Sequence, residues 1–135
     1  MRPALRVVDS YSLLAYMEGE AGAEKMIEIF RVARDSGRDL LLSVVNWGEV
    51  YYITLRETGR ERAEDVAHLI STLPIQLVPA DLELTKQAAV FKSSKRMSYA
   101  DCFAAALAKL RRAELVTGDK DFRQVEGDVK ILWLQ

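Results

Sequence analysis

Leu5-Arg6-Val7-Val8-Asp9-Ser10 is a β-branched, apolar run that ends abruptly on a carboxylate. An apolar run without alternation is typical of a strand buried on both faces in the middle of a parallel sheet. The residues from Ser10 to Ser12 can start a helix directly after it. Because ligands of open parallel sheets bind outside the carboxyl ends of the strands, Asp9 lies where such a fold places its chemistry.

The composition predicts one folded domain over residues 1–135. Half of the residues are hydrophobic (50%), which is enough for a sizeable core. No apolar run reaches the ~18 residues of a membrane span, and the beginning of the sequence lacks a signal-peptide pattern. Cys102 is the only cysteine, which excludes an intrachain disulfide and a cysteine-rich zinc site. We therefore expect a cytoplasmic protein without a membrane partner.

Strand-like and helix-like segments alternate along the rest of the chain. After the first strand, the patterns predict strands over 40–43, 75–78, 114–117 and 130–134. They predict helices over 11–17, 21–34, 46–56, 60–73, 81–92 and 98–111. In the second helix, the predicted apolar face consists of Ala23, Met26, Ile27, Phe30 and Ala33. This alternation is typical of an α/β sandwich around a mainly parallel sheet.

Glu49 is the only charged residue between positions 44 and 53. Its spacing from Asn46 fits a capping box, in which Asn46 caps the helix and Glu49 occupies its third position. The helix is apolar almost all round, however, which predicts that it is buried. A carboxylate at the buried mouth of such a helix needs a partner beyond capping.

Three further acids lie at element ends. Asp101 follows Ser98 at capping-box spacing and opens a helix without another charge until Lys109. Asp119 and Asp121 follow an apolar strand and a glycine, a pattern that a turn and helix cap would explain alone.

Taken together, Asp9, Glu49, Asp101 and Asp119 are predicted to open onto one end of one sheet. Clustered carboxylates raise each other's pKa unless a cation lies between them. Oxygen-only ligands suit Mg²⁺ or Mn²⁺. Such sites serve phosphate chemistry, in which the metal activates water and neutralises developing charge.

Four segments in order resemble the motifs of PIN-domain proteins, and more narrowly those of VapC-type ribonuclease toxins of toxin–antitoxin pairs. The segments are Val7-Val8-Asp9-Ser10, Asn46-x-x-Glu49, Ser98-Tyr99-Ala100-Asp101 and Thr117-Gly118-Asp119-Lys120-Asp121-Phe122. The resemblance covers essentially the whole chain. It implies a three-layer sandwich with a five-stranded, mainly parallel sheet, a Mg²⁺- or Mn²⁺-dependent endoribonuclease, a homodimer and a partner antitoxin.

By this resemblance, Asp9, Glu49, Asp101 and Asp119 take the four acidic positions, and Ser10 and Thr117 take the hydroxyl positions beside them. Asp121 is an alternative for the last acidic role. Asp9 and Asp101 are the first choice for direct metal ligands. For Glu49 and Asp119, three roles stay open: they can ligate the metal directly, hold metal-bound waters, or act as the base.

Other chemistries fit the sequence less well. His68 is the only histidine and is predicted to be solvated, so a ribonuclease with two catalytic histidines is excluded and a Ser-His-Asp arrangement has little support. Phosphatases of the haloacid-dehalogenase type have a second acid two residues after the first, where this chain has Tyr11. Receiver domains have adjacent acids, whereas here Ser10 follows Asp9. A PIN fold that binds RNA or protein without cutting remains the non-enzymatic alternative.

Basic residues near the acids are candidates for RNA contacts. Phosphate contacts would supply affinity and position rather than sequence choice, and a solvated loop explains any single one equally well. The candidates are Lys92, Lys95, Arg96 and Lys120.

Overall fold

The computed structural model describes residues 3–135, and its strands and helices alternate as predicted. The strands are β1 (Arg6–Val8), β2 (Leu40–Ser43), β3 (Ile75–Val78), β4 (Glu114–Thr117) and β5 (Ile131–Trp133). The helices are α1 (Ser10–Glu18), α2 (Ala23–Ser36), α3 (Val44–Thr58), α4 (Arg60–Thr72), α5 (Leu82–Ser94) and α6 (Tyr99–Arg111). A 3₁₀ segment, Lys120–Val125, lies between β4 and β5.

The five strands form one sheet in the order β3-β2-β1-β4-β5, and every neighbouring pair is parallel. The strand before Asp9 is the central one: Val7 lies opposite Leu41 of β2 on one side and Leu115 of β4 on the other. The central position explains why its sequence is apolar without alternation, because both of its faces are covered by helices.

Two hydrophobic cores lie on the two faces of the sheet. Val7 points to one face and packs in a core with Phe91 of α5 and Phe103 of α6. Val8 points to the other face, where the core includes side chains of α1, α2, α3 and α4, among them Leu13 and Phe30. The side chains of successive strand residues alternate between the two layers of helices. The predicted three-layer α/β sandwich is therefore confirmed.

Two details of the predicted helices are wrong. The third helix begins at Val44 and is capped by Ser43, whose Oγ accepts a hydrogen bond from the Val45 N–H at 3.2 Å. Asn46 therefore lies inside the first turn and caps nothing. On α2 the buried positions include Ile29, whereas Ile27 is 57% exposed. The buried face is rotated slightly from the predicted one. In a helix of this length the apolar residues fit two neighbouring faces about equally well, so the sequence pattern does not distinguish them.

The prediction that the third helix is buried all round is also wrong. One side of the helix, with Asn46, Val50 and Thr54, is buried against the rest of the fold, but Tyr52 is 50% exposed and Leu55 is 40% exposed. This leaves an apolar strip on one side of α3. His68 is exposed on α4, as predicted. No helix within residues 3–135 combines the length and the apolar character that crossing a membrane requires.

Candidate active site

The acids converge because the strands that precede them are neighbours in the sheet. Asp9 follows β1, and Asp119 follows β4 after one glycine; all three residues of β1 pair with β4. Ser43 ends β2 on the other side of β1 and starts α3, which brings in Glu49. Helix α6 packs against α3, β1 and β2 and places Asp101 at the same edge.

Asp9 is almost completely buried and held by hydrogen bonds on both carboxylate oxygens. It is the N-cap of α1: its Oδ1 accepts from the Ser12 N–H at 2.8 Å, and Ser12 Oγ accepts from the Asp9 N–H at 3.1 Å. Its Oδ2 accepts from Thr117 Oγ1 at 2.5 Å. Burial nevertheless raises the pKa of Asp9 from its ordinary 3.8 to about 6, because desolvation outweighs these hydrogen bonds.

Thr117 connects two of the acids. Besides donating to Asp9, its fully buried Oγ1 accepts a hydrogen bond from the Asp119 N–H at 3.1 Å. The hydroxyl thus sets where the chain turns after β4. Ser10 has a similar position beside Glu49: its Oγ donates to Glu49 Oε1 at 2.5 Å and joins α1 to α3.

Asp101 shows the electrostatic cost of the arrangement. Its pKa is raised from 3.8 to about 7, first by burial and then by the negative charges of Asp119, Asp9 and Glu49. The four predicted acids therefore lie close enough for their charges to interact. The N–H of Asp101 donates to Ser98 Oγ at 3.1 Å, so Ser98 caps α6 as predicted.

Asp121 joins Asp119 on the same side of the site. One carboxylate oxygen from each of Asp101, Asp119 and Asp121 lies within 4.8 Å of the other two. Asp119 Oδ1 accepts from the Asp121 N–H at 2.9 Å and caps the 3₁₀ segment, which sets the spacing of the two acids. The sequence alone left these two as alternatives, and the structure brings both of them to Asp101.

The residues fit a hard divalent cation. All donors are carboxylate oxygens, the set that Mg²⁺ and Mn²⁺ prefer. Mg²⁺ binds oxygen at about 2.1 Å, so two of its ligand oxygens lie no more than about 4.2 Å apart. The three oxygens, all within 4.8 Å of one another, therefore need only a slight approach to share one ion. Within residues 3–135, no lysine or arginine forms an ion pair with any of the five acids.

Two features of the site were not found by the sequence reasoning. A Cβ atom on Gly118 would lie 2.4 Å from Cε1 of Tyr11, so any larger residue at position 118 would displace the Tyr11 ring. Asn46 is fully buried; its Nδ2 donates to the Ala100 carbonyl at 3.1 Å. The sequence did show a polar residue one helical turn before Glu49 in an apolar segment, but we interpreted Asn46 as the N-cap of the helix.

The candidate RNA contacts are only partly free. Lys92 Nζ donates to the Met97 carbonyl at 2.7 Å and so holds the loop before α6. The backbone of Arg96 is fixed by Gln124, which accepts from its N–H at 2.8 Å and donates to its carbonyl at 3.2 Å. Lys120 is exposed next to the acids, and Lys95 is half-buried.

Residues 6–128 match the family model of the PIN domain, and the chain therefore belongs to the PIN-domain family. Among solved structures, a toxin–antitoxin complex from Klebsiella pneumoniae is 17% identical with a TM-score of 0.73, covering 96% of this chain and 98% of that one. The VapC20 toxin of Mycobacterium tuberculosis, described as cleaving the sarcin–ricin loop, is 20% identical with a TM-score of 0.69 and coverages of 93% and 97%.

A third similar structure is the DNA-bound VapBC of Salmonella typhimurium, which is 14% identical with a TM-score of 0.75 and covers 98% of this chain and 100% of that chain. At these identities the likeness describes the fold. No curated protein matches the chain in sequence. The family match confirms the resemblance to PIN-domain proteins, and the fold is similar to the folds of the VapC toxin structures.

Proposed function

We propose that the protein is a Mg²⁺- or Mn²⁺-dependent endoribonuclease and the toxin of a VapBC-type pair. The observation that carries the proposal is the acid group of Asp101, Asp119 and Asp121, placed at the carboxyl edge of the sheet without a basic partner among residues 3–135. Burial and then the negative charge of Asp119 raise the pKa of Asp101, so the charged acids are unfavourable together and a bound cation would remove the cost.

The direct ligands in this proposal are Asp101, Asp119 and Asp121, and Asp9 completes the negative field beneath them. A bound cation would neutralise charge at the scissile phosphate and acidify water beside it. Among residues 3–135, Glu49 is held only by Ser10, through Oε1, so its second oxygen can accept the proton of the attacking water. This revises the first choice of ligands, because oxygens of Asp101, Asp119 and Asp121 lie within 4.8 Å of one another and Asp9 is not in that group.

Lys120 and Lys95 would contact the RNA backbone on either side of the acids. Lys92 and Arg96 contribute mainly by shaping the loop that carries Ser98, since Lys92 Nζ and the Arg96 backbone already hold this loop in place. Such contacts fix position along the strand and carry no sequence information.

The partners we propose are RNA, an antitoxin and a second copy of the chain, all in the cytoplasm. Similar folds were solved as toxin–antitoxin complexes from Klebsiella pneumoniae and Salmonella typhimurium. The exposed apolar strip of α3, with Tyr52 and Leu55, supports a homodimer. A neighbouring reading frame for a small DNA-binding protein would support the toxin assignment over a housekeeping nuclease.

The test is cleavage of RNA by the purified protein with Mg²⁺ or Mn²⁺. The substrates should include a sarcin–ricin-loop hairpin, because a similar fold is described as cutting that element, and an unrelated structured RNA. We expect discrete cuts that EDTA abolishes. Asp101→Asn, which removes a proposed ligand, controls for contaminating nuclease; equal cutting by this variant and the wild type would mean that the domain is a binding module rather than an enzyme.

A further inference from the structure

Asn46 is a buried polar side chain that is not fully hydrogen-bonded, which is unusual for a residue in a protein core. It is fully buried, and its Oδ1 has no hydrogen-bond partner within residues 3–135. A buried acceptor without a donor destabilises a folded protein and is rare in native structures. An apolar residue of the same size would avoid this cost, so stability does not explain an asparagine at this position.

The other end of the amide makes a specific contact between two helices. Asn46 Nδ2, in the first turn of α3, donates to the Ala100 carbonyl in the first turn of α6 at 3.1 Å. That carbonyl belongs to the peptide whose N–H is that of Asp101. The N–H end of the same peptide donates to Ser98 Oγ at 3.1 Å. The peptide before Asp101 is therefore held at both of its polar ends.

Asn46 also lies one helical turn before Glu49, on the same face of α3. Its contact with Ala100 consequently fixes the distance between the two helices that carry Glu49 and Asp101. These two carboxylates repel each other, so without a cation the helix ends tend to move apart. A neutral donor across the seam between α3 and α6 opposes that movement without adding charge.

We infer that Asn46 is a positioning residue, which holds Asp101 against the repulsion of Glu49 in the position that binding of a divalent cation requires. This inference rests on the proposed metal-dependent function and adds a residue to it. Residues that orient metal ligands from the second layer typically change metal affinity by about 10- to 100-fold when they are replaced. Asn46 is a candidate of this kind that acts through the backbone of α6.

The test compares Asn46→Leu with the wild type in two measurements, the melting temperature and the affinity for Mn²⁺. If Asn46 only stabilised the fold, both would fall in the variant. Leucine has a similar volume and neither a donor nor an unpaired acceptor. Ala100 O keeps its acceptor role in the helical ladder of α6. We expect a melting temperature that is unchanged or higher in EDTA, together with Mn²⁺ binding weakened about 10- to 100-fold in isothermal titration. Excess Mn²⁺ should restore RNA cleavage by Asn46→Leu, because the acids are all present, whereas Asp101→Asn should not recover.

The matched control is Thr54→Val, which removes a buried polar group from the same helix. Thr54 Oγ1 donates only to the Val50 carbonyl of α3 itself at 2.8 Å, so Mn²⁺ affinity should not change. Asn46→Ala serves as a second variant without the donor, should leucine prevent folding. Unchanged Mn²⁺ affinity in a folded Asn46 variant would overturn this inference alone, as would failure of both variants to fold. No Mn²⁺ binding by the wild type would instead overturn the proposed function and the inference with it.

Discussion

Thr117 Oγ1 donates a hydrogen bond to Asp9 Oδ2 at 2.5 Å and accepts one from the Asp119 N–H at 3.1 Å, so one hydroxyl ties together the acids that follow two neighbouring strands. Thr117→Val keeps the shape and removes both bonds. The bond from Thr117 lowers the pKa of Asp9, so its loss should raise that pKa above about 6 and weaken Mn²⁺ binding most at mildly acidic pH.

The cost in unfolding free energy for Thr117→Val should be about 1–3 kcal/mol, since the Asp119 N–H and the Asp9 carboxylate each lose a partner. Denaturant unfolding and Mn²⁺ titration at pH 6 and pH 8 measure the two effects. Thr54→Val, a buried hydroxyl away from the acids, provides the comparison. Equal behaviour of the two variants would show that the Thr117 hydroxyl has no special role in the site.

The metal-free protein should lose stability as the pH rises from about 4 to 7. Asp9 has a pKa of about 6 in the folded state against 3.8 ordinarily, and Asp101 has about 7. In this range the folded state binds more protons than the unfolded state, so the free energy of unfolding falls with rising pH. For the fully buried Asp9, the difference amounts to about 3 kcal/mol, present below pH 4 and lost above pH 6.

Asp9→Asn isolates this effect because asparagine has no proton to lose. Thermal melts in EDTA should show similar stability for both proteins near pH 4 and a more stable variant at pH 8. Mn²⁺ at a concentration that saturates the wild type should narrow this difference at pH 8, since the variant keeps the three proposed ligands but lacks the Asp9 charge and therefore gains less from binding. A wild type as stable as Asp9→Asn in EDTA at pH 8 would contradict the raised pKa.

Single substitutions should rank the acids as metal ligands. Asp101→Asn should abolish Mn²⁺ binding and RNA cleavage, because Asp101 is the buried member of the three-acid group. Asp121→Asn should weaken binding less, since the exposed Asp121 can be replaced by water. Asp65→Asn, an exposed acid on α4, is the control and should bind Mn²⁺ normally. Titration calorimetry measures all three, and normal binding by Asp101→Asn would refute the ligand assignment.

Assembly is predicted from the exposed apolar strip of α3. The wild type should be a homodimer at micromolar concentration by light scattering, because Tyr52 and Leu55 are otherwise left in water. Tyr52→Lys should shift the protein toward monomer, since it places a second cation beside Arg56, which lies 5.5 Å from the Tyr52 ring. Ile27→Lys on α2 is the control, as Ile27 is also apolar and exposed. A monomeric wild type would contradict the prediction.

Inhibition by an antitoxin is predicted to act at the acids. Within residues 3–135, the acid cluster has no arginine partner, and a guanidinium from a partner chain could pair with two carboxylates through its planar fork. A cognate antitoxin peptide should inhibit cleavage in competition with Mn²⁺, and an Arg→Ala change in that peptide should weaken inhibition. Inhibition independent of both Mn²⁺ concentration and the arginine would place the contact elsewhere.

The sequence by itself determined the architecture and the main candidates of the site. Strong local signals were sufficient for this: an uninterrupted apolar run identifies the central strand, and a lone acid at an element end is visible without neighbours. The predictions were wrong where one local pattern fits two structures. The Asn46–Glu49 spacing fits a capping box, yet Ser43 caps the helix and Asn46 lies inside it.

Only the tertiary structure decided how the acids are arranged. It placed both Asp119 and Asp121 beside Asp101 and gave each carboxylate oxygen of Asp9 a hydrogen-bond donor. It also left one side of α3 exposed. Each of these depends on contacts between residues far apart in the chain, such as Thr117 with Asp9, which no local pattern encodes. The pKa values of Asp9 and Asp101 follow from the same cause, because burial and neighbouring charge exist only once the strands and helices have packed.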